Sequence, residues 1–201
     1  MLFRSPGSVE MQLVRATALS LAGDEQGARV QLDAVARVIG KRPEMSLSLA
    51  SVYSACGRYA EARVQFEAAC KRNPRDPVAH LGLARSQLAL GGFEEAAGHA
   101  LDALEITQAL PEAHLLLGAA LAWYGDLENA RKSLEFALKF EGGMLDAHRW
   151  MALVAERLGD AAQTATSRGE IARLLTTVTE HPREAPFGAS AFAARNRLTP
   201  I

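Results

Sequence analysis

The sequence predicts an all-α solenoid built from five antiparallel helix pairs. Glycines recur every 34 residues along most of the 201-residue chain, and a fixed period of this length indicates stacked supersecondary units. Apolar residues follow three-and-four spacing before and after each glycine, which predicts two amphipathic helices in every unit. Small residues recur at the same period. The repeated glycines are Gly23, Gly57, Gly91, Gly125 and Gly159.

Proline and glycine mark the ends of the first helix in each unit. Pro43, Pro77 and Pro111 open three of these helices, where the missing N–H of proline costs little. The glycine lies where the first helix must end, because a left-handed C-terminal conformation favours a residue without Cβ. The predicted units span residues 9–42, 43–76, 77–110, 111–144 and 145–178.

Two columns of small residues are expected to lie where helices cross. Only alanine or glycine lets two helix backbones approach to about 8 Å. The column on the first helices contains Ala16, Ala50, Ala84, Gly118 and Ala152. The column on the second helices contains Ala28, Ala62, Ala96, Ala130 and Thr164.

The last unit and the chain ends depart from the repeat. Arg168 replaces a large apolar residue in unit five, while Leu174 and Leu175 continue the apolar pattern past its usual stop. We interpret this as an extended terminal helix that caps the array. Residues 1–8 are predicted to be disordered or introduced during cloning, and residues 179–201 to be a tail or linker with a short helix at 190–198.

Composition excludes several classes of partner. The 23 acidic and 22 basic residues nearly cancel, so no overall field favours nucleic acid. No apolar run reaches the roughly 18 residues of a membrane-spanning helix, so no membrane insertion is expected. Cys56 and Cys70 are too few for a disulfide framework, which indicates a reducing, cytoplasmic location. The alanine-rich composition is typical of a high-GC bacterial source.

The repeat is similar to the tetratricopeptide repeat, whose signature runs Trp, Leu-Gly, Tyr, Ala, Phe and Pro. The second unit resembles it at Ser46, Leu49-Ala50, Tyr53, Ala62, Phe66 and Pro74. The fourth unit resembles it at His114, Leu117-Gly118, Leu121, Ala130 and Leu134. This resemblance covers about residues 9–178. It implies a right-handed α-solenoid whose first helices line a concave groove for an extended or helical peptide.

Histidines occupy the tryptophan column of three units, at His80, His114 and His148. Each belongs to a different first helix, and axes about 8–10 Å apart cannot bring three imidazoles within about 2 Å of one zinc ion. In the family that the chain resembles, this column is an inter-helix packing position. We therefore expect a structural role for it, and we predict no metal site and no cofactor.

Two charged columns have a stabilising and a binding interpretation. The acidic column contains Glu10, Glu44, Glu112 and Asp146. Its members fall in first turns, where negative charge complements the helix dipole, although they could also face a basic ligand. The basic column of Arg29, Arg63 and Arg131 is interpreted as a solvated outer face.

No catalytic constellation is found in the sequence. It has no glycine-rich phosphate loop, no Cys-x-x-Cys and no His-Glu-x-x-His motif. Cys70 has no histidine partner that the pattern places beside it, and Ser46, Ser48, Ser51 and Ser54 lie on a regular helix rather than on a strained turn. The chain is therefore predicted not to be an enzyme.

The inner stripe of the first helices is the predicted peptide-binding groove. Four of its leucines are in register on a face directed away from the core. Either a partner covers them, or superhelical curvature buries them between neighbouring helices. The groove residues are Leu13, Thr17, Leu47, Ser51, Leu81, Arg85, Leu115, Ala119, Trp123, Arg149, Trp150 and Leu153.

The two tryptophans lie on the same stripe and admit two interpretations. Trp123 and Trp150 could anchor a partner, because tryptophan and arginine are enriched among the residues that dominate binding energies. Alternatively, their rings fill the space beside Gly118 and Ala119. The family subgroup that clamps a C-terminal carboxylate uses lysine and asparagine on these stripes, whereas this chain has leucines and small residues.

The predicted function is a protein–protein interaction scaffold that holds an apolar peptide or amphipathic helix in its groove. Two other functions are kept open. The chain could be the non-catalytic targeting domain of a larger enzyme that continues past residue 201, or a self-assembling scaffold that forms a homo-oligomer through its tail or a terminal repeat.

Overall fold

The computed structural model describes residues 9–39 and 45–180. These residues form ten α-helices and no strand. The helices are α1 (Val9–Leu21), α2 (Glu25–Ile39), α3 (Ser46–Ala55), α4 (Tyr59–Arg72), α5 (Pro77–Leu90), α6 (Phe93–Ile106), α7 (Pro111–Tyr124), α8 (Leu127–Phe140), α9 (Leu145–Leu158) and α10 (Ala161–Glu180). The predicted all-α solenoid of helix pairs is confirmed.

The helices pack in sequence order, each against the one before and the one after it. In addition, consecutive first helices contact each other directly, from α1 with α3 through α7 with α9. Within the described residues, consecutive second helices make no comparable contact. Because the first helices approach one another more closely, they lie on the inner side of the curved array, and the second helices lie on the outer side.

The five repeated glycines end the first helices in a left-handed conformation. Their φ angles lie between 73° and 84°, and no other described residue type adopts a positive φ. The residue after each glycine donates its N–H to the carbonyl five residues earlier, as Gly92 does to Gln87 at 2.9 Å and Asp126 to Leu121 at 3.1 Å. This is the hydrogen bond of a Schellman motif, which satisfies carbonyls that the helix end leaves open. The role predicted for the glycines is confirmed.

Aspartates begin three of the second helices. The carboxylate of Asp126 accepts a hydrogen bond from the N–H of Asn129, and Asp24 and Asp160 do the same for the third residue after them, at 2.8 and 2.9 Å. A side-chain acceptor here satisfies one of the helix N–H groups that lack an internal partner. A Gly-Asp pair in this sequence thus ends one helix and starts the next.

Small residues allow the close helix packing that the columns predict. Ala16, Ala50 and Ala84 are fully buried on the first helices. A Cβ added at Gly82 would lie 2.3 Å from the ring of Phe66, and one at Gly118 would lie 2.7 Å from Leu134. The core consists of two hydrophobic clusters that meet at α5, where Leu83 belongs to the N-terminal cluster and Ala84 to the C-terminal one.

Some of the other predicted elements agree with the structure, and others lie outside the residues that it describes. Pro77 and Pro111 open α5 and α7 as predicted, whereas Pro43 lies outside the described residues. α10 continues for 20 residues, in agreement with the extended terminal helix. The segments 1–8 and 181–201, with the predicted helix at 190–198, also lie outside the described residues, so the division of the chain into solenoid and tail remains a prediction. None of the described helices is long and apolar enough to span a bilayer.

Candidate functional site

The candidate site is the inner face of the solenoid, which we define as the exposed and half-buried stripe on α1, α3, α5, α7 and α9. Helical spacing places residues three and four apart on one side of each helix. Direct contact between consecutive first helices joins these stripes into one surface. The groove residues predicted from the sequence differ widely in exposure: Leu13, Ala119 and Trp150 are buried, whereas Thr17, Leu47, Ser51, Leu81, Arg85, Leu115, Trp123, Arg149 and Leu153 are half-buried or exposed.

The leucine column is largely covered by the protein itself. Leu13 is buried within the N-terminal cluster. Leu47 is half-buried against the same cluster, and Leu81, Leu115 and Leu153 are half-buried against the C-terminal one. Curvature therefore buries part of each side chain, and a partner could contact only the remaining edge.

The hydroxyl groups on the inner face form hydrogen bonds within their own helices. The hydroxyls of Thr17 and Ser51 donate to the carbonyls four residues earlier, at 3.1 and 3.0 Å. Ala119 is buried and offers almost no surface. Such back-bonded hydroxyls present mainly their carbon atoms and an acceptor oxygen to the groove.

Two arginines of the inner face are positioned by carboxylates in the first turns of helices. Arg85 on α5 forms an ion pair with Glu112 on α7, which links neighbouring first helices. Arg149 Nη1 lies 3.0 Å from Asp146 Oδ1 within α9. Burial lowers the pKa of Arg85, although arginine stays protonated in proteins. These carboxylates therefore orient inner-face cations in addition to complementing the helix dipoles.

An aromatic cluster joins side chains of α6, α7 and α9. The ring of Trp123 stacks on Phe93 with centroids 4.8 Å apart and planes at 12°. Trp150 approaches Trp123 edge-on at 6.5 Å. Trp150 is only 8% exposed, whereas Trp123 is 38% exposed. Trp150 is therefore part of the core, and Trp123 keeps a partly exposed ring. The space beside Gly118 is filled by Leu134 rather than by a tryptophan, and the anchoring role of the tryptophans stays a prediction.

The three histidines of the column form the same hydrogen bond in their respective units. Nε2 of His80, His114 and His148 lies 3.0, 3.2 and 2.9 Å from the carbonyl six residues earlier, in the loop before the helix. A carbonyl can only accept, so Nε2 carries the proton in each ring. Each hydrogen bond thereby ties the loop between two units to the helix that follows it.

The outer charged residues form local ion pairs. Arg29 pairs with Asp33 and Arg63 with Glu67 one turn later on the same helix, and Arg131 pairs with Glu128. Surface pairs of this kind contribute on the order of 0–1 kcal/mol each. The interpretation of this column as a solvated outer face agrees with these positions.

Burial of Cys70 suppresses its reactivity. Its thiol pKa rises to about 11, first because the group is desolvated and then because Asp76, Asp102 and Glu67 add negative charge nearby. The thiolate, which is the nucleophilic form, is therefore scarce at neutral pH. No disulfide joins the two cysteines within the described residues.

Sequence reasoning missed two features that the structure brings together. Phe93 comes from a second helix, and its stacking with Trp123 depends on how α6 meets α7. His99 and Asp102 converge on His80 between α5 and α6. The signal available in the sequence was a His-x-x-Asp spacing on α6, which places both side chains on one face of that helix.

Comparisons with known proteins agree with this architecture. Residues 43–86 match the tetratricopeptide repeat family. TTC0263, a thermophilic TPR protein of Thermus thermophilus, superimposes with a TM-score of 0.68 at 18% identity, over 93% of this chain and 98% of that one. The chain has the tetratricopeptide-repeat fold. The resemblance predicted from its motifs is confirmed.

Two further solved structures are similar over most of their length. MamA 41-end from Desulfovibrio magneticus RS-1 gives a TM-score of 0.62 at 17% identity, over 88% of this chain and 97% of that one. YrrB, described as a TPR protein with an unusual peptide-binding site, gives 0.57 at 17% identity, over 93% and 91%. No curated protein sequence shows significant similarity to the chain.

Proposed function

We propose that this tetratricopeptide-repeat chain is a protein–protein interaction scaffold whose inner face binds an apolar peptide or an amphipathic helix. The observation that supports the proposal is the 38% exposed ring of Trp123, which stacks on Phe93 and meets the edge of Trp150. We assign this ring to the end of the joined inner stripes. A large aromatic side chain that is rigid before binding loses little conformational entropy when a partner packs on it.

The half-buried leucines extend this apolar surface along the array. Each exposes only an edge, so a partner would gain a modest area from each unit and a larger one from Trp123. The charged pairs Arg85–Glu112 and Arg149–Asp146 lie beside this surface. They would face the polar side of an amphipathic partner, where they favour one orientation more than they add affinity.

The fold itself supports binding rather than catalysis. In solenoids, each repeat contacts only its neighbours, and the array presents an extended surface without a deep enclosed pocket. YrrB, which shares this fold, is described as having a peptide-binding site. A partner of the same chemical class, a peptide, is therefore proposed for this chain.

The first experiment identifies the partner by position-specific crosslinking. A photoreactive amino acid at Ser51, which is exposed on the inner face, is compared with one at Val64, which is exposed on α4 of the outer face. Crosslinked species from an extract of the source cells are identified by mass spectrometry. Adducts specific to position 51 support the proposal. Adducts that form equally from both positions would contradict it.

The second experiment measures the contribution of Trp123. We expect Trp123→Ala to weaken binding of the crosslinked partner by about thirtyfold, which corresponds to a residue worth roughly 2 kcal/mol. Isothermal titration calorimetry measures the affinity, and circular dichroism checks that helix content is retained. The matched control is Phe136→Ala, because Phe136 is also aromatic and 49% exposed but lies on the outer helix α8.

The two variants separate a specific role from general loss of apolar surface. If Trp123→Ala binds like wild type, or if Phe136→Ala weakens binding equally, the inner face is not the binding surface.

A further inference from the structure

Three metal-ligating side chains converge between α5 and α6, and none of them belongs to the aromatic cluster of Phe93, Trp123 and Trp150. His80 comes from α5, and His99 and Asp102 lie one turn apart on α6. Nδ1 of His80 is 3.3 Å from Oδ2 of Asp102, and Nδ1 of His99 is 3.4 Å from the same oxygen. We propose that these three side chains bind a divalent transition-metal ion, for which Zn²⁺ is the best match.

The distances fit the coordination geometry of zinc. In a tetrahedral site with bonds of about 2.0–2.1 Å, neighbouring ligand atoms lie roughly 3.3 Å apart. The two separations from Asp102 Oδ2 agree with this value, and all three ligand atoms lie within 4.8 Å of one another. An ion between them would reach each atom at bonding distance after small rotations of the side chains.

The tautomer of His80 is already the one that a metal requires. Its Nε2 donates to the carbonyl of Pro74 at 3.0 Å, so Nδ1 carries the lone pair and faces Asp102. Metal-bound histidines usually donate their other N–H to a carbonyl or carboxylate, which fixes the ring and raises its basicity. The hydrogen bond that recurs in the histidine column therefore orients His80 as a proposed metal ligand in the third unit.

The two Nδ1 atoms have no hydrogen bond that would explain their position. Both are shielded from solvent, and neither contact with Asp102 has hydrogen-bond geometry. A buried nitrogen without a partner is destabilising, because it has lost its hydrogen bonds to water and has gained none within the protein. Nδ1 of His148 is also buried without a hydrogen-bond partner, but in the described part of the chain no comparable group of metal-ligating side chains surrounds it. Among the described residues, His80 and His99 are the pair of such atoms that one ion would satisfy together.

The second histidine and the aspartate are specific to the third unit. One period later, Ser133 and Phe136 occupy the positions of His99 and Asp102, and His114 stacks on Phe136 with centroids 5.3 Å apart. Packing of the repeat is thus satisfied there without a histidine or a carboxylate on the second helix. The ligand set of the third unit is an addition to the scaffold rather than a requirement of it.

The site is open to an ion from one side. The side chain of His80 is 12% exposed and that of Asp102 is 51% exposed, so the ion would enter past the carboxylate. The adjacent cleft is lined by Pro74, Arg75, Glu105 and Ile106. Two nitrogens and a carboxylate oxygen favour Zn²⁺, Co²⁺, Ni²⁺ or Cu²⁺ over Ca²⁺ or Mg²⁺, and water completes the coordination.

The proposal is tested by titrating ZnCl₂ into the untagged, chelator-treated full chain in a calorimeter. We expect one ion per chain. His99→Gln and Asp102→Asn should each lower the affinity at least tenfold, since each removes or weakens one of three ligands. Histidine ¹⁵N chemical shifts provide a second readout: zinc should shift Nδ1 of His80 and His99, while Nε2 of His80 stays protonated.

The matched control is His148→Gln, which removes the same carbonyl hydrogen bond in another unit and should leave zinc affinity unchanged. Asp102 is half exposed, so Asp102→Asn is expected to fold normally, and circular dichroism checks this. The proposal is overturned if the wild-type chain binds no zinc. It is also overturned if His99→Gln and Asp102→Asn bind zinc as tightly as wild type, because the ion would then lie elsewhere.

Discussion

Gly82 and Gly91 lie on the same unit and meet two different physical requirements. Gly91 has a φ of 83°, a conformation in which a Cβ would crowd the backbone, and open space surrounds the place that a Cβ would take. Gly82 lies within α5, where the backbone is helical and a residue with a Cβ, such as alanine, would suit the helix itself better than glycine. There the ring of Phe66 fills the space that a side chain would need. One residue type thus serves backbone conformation in one place and packing in the other.

We expect Gly82→Ala to destabilise the chain by about 1–3 kcal/mol, because the added methyl group would force Phe66 or the helix to move. Urea unfolding followed by circular dichroism measures the change. Gly98→Ala is the matched control, since Gly98 also lies within a helix but nothing stands within 4 Å of the added Cβ. That substitution should stabilise the chain by about 0.5–1 kcal/mol. Equal effects of the two substitutions would show that packing at Phe66 is not the cause.

Each helix pair depends on a short turn in which one helix ends and the next begins. The glycine closes the first helix with a Schellman hydrogen bond, and an aspartate directly after it begins the second helix in three units. In the second unit Arg58 takes this position, and its guanidinium bonds to Glu61 instead. In the third unit the position is Gly92, which provides no side-chain acceptor. The turn is therefore constant in backbone shape but variable in capping.

We expect Asp126→Ala to lower the free energy of unfolding by about 1 kcal/mol, because α8 would lose the side-chain acceptor for the N–H of Asn129. Asp126→Asn retains an acceptor oxygen and should lose much less. Thermal and urea unfolding of both variants provide the measurement. A loss of stability in Asp126→Asn that equals the loss in Asp126→Ala would assign the effect to charge rather than to capping.

At the scale of the whole molecule, the solenoid has two hydrophobic clusters rather than one. The N-terminal cluster extends from Val9 to Leu83, and the buried residues of the C-terminal cluster extend from Ala84 to Val154. They share α5, whose two sides contact different clusters. In a repeat protein, stability is approximately the sum of the repeats and their nearest-neighbour interfaces. We therefore expect the N-terminal and C-terminal parts of the array to be able to fold separately when the chain is divided at the start of α5.

We expect the fragment 77–180 to fold on its own, because it contains the whole C-terminal cluster together with α10. It should melt below the full chain, since Leu83 and Gly82 lose their partners on α4. Circular dichroism and calorimetry test this, with the fragment 46–106 as a control that divides the C-terminal cluster. A fragment 77–180 that lacks helix content would show that the two clusters depend on each other.

Much of the fold could be predicted from the sequence because its determinants are local and repeated. The period of the glycines sets the number of pairs, and proline at Pro77 and Pro111 sets where two first helices begin. A structural role for the histidine column could also be predicted, since a residue that recurs at one position of three units is expected to meet a similar environment in each. Each of these depends on residues within one unit or on its exact repetition.

The binding surface could be predicted only as a stripe of residues. Its position follows from helical spacing, but the exposure of Leu13, Ala119 and Trp150 depends on how far neighbouring first helices close on one another. That distance is set by side chains from several units together. Trp123 and Trp150 were both assigned to the inner stripe by helical spacing, although only Trp123 retains a substantial exposed surface.

The sequence by itself determined the helix pairs, their order and their turns, because backbone conformation and amphipathic spacing act over a few residues. Tertiary structure decided which side chains meet across helices. His80 and His99 belong to different helices, beyond the reach of any local pattern, and they converge on Asp102 only when α5 and α6 pack. The physical reason is that the 34-residue period specifies only the interactions that all units have in common. The cluster of His80, His99 and Asp102 depends instead on side chains of the third unit and on the packing of α5 against α6.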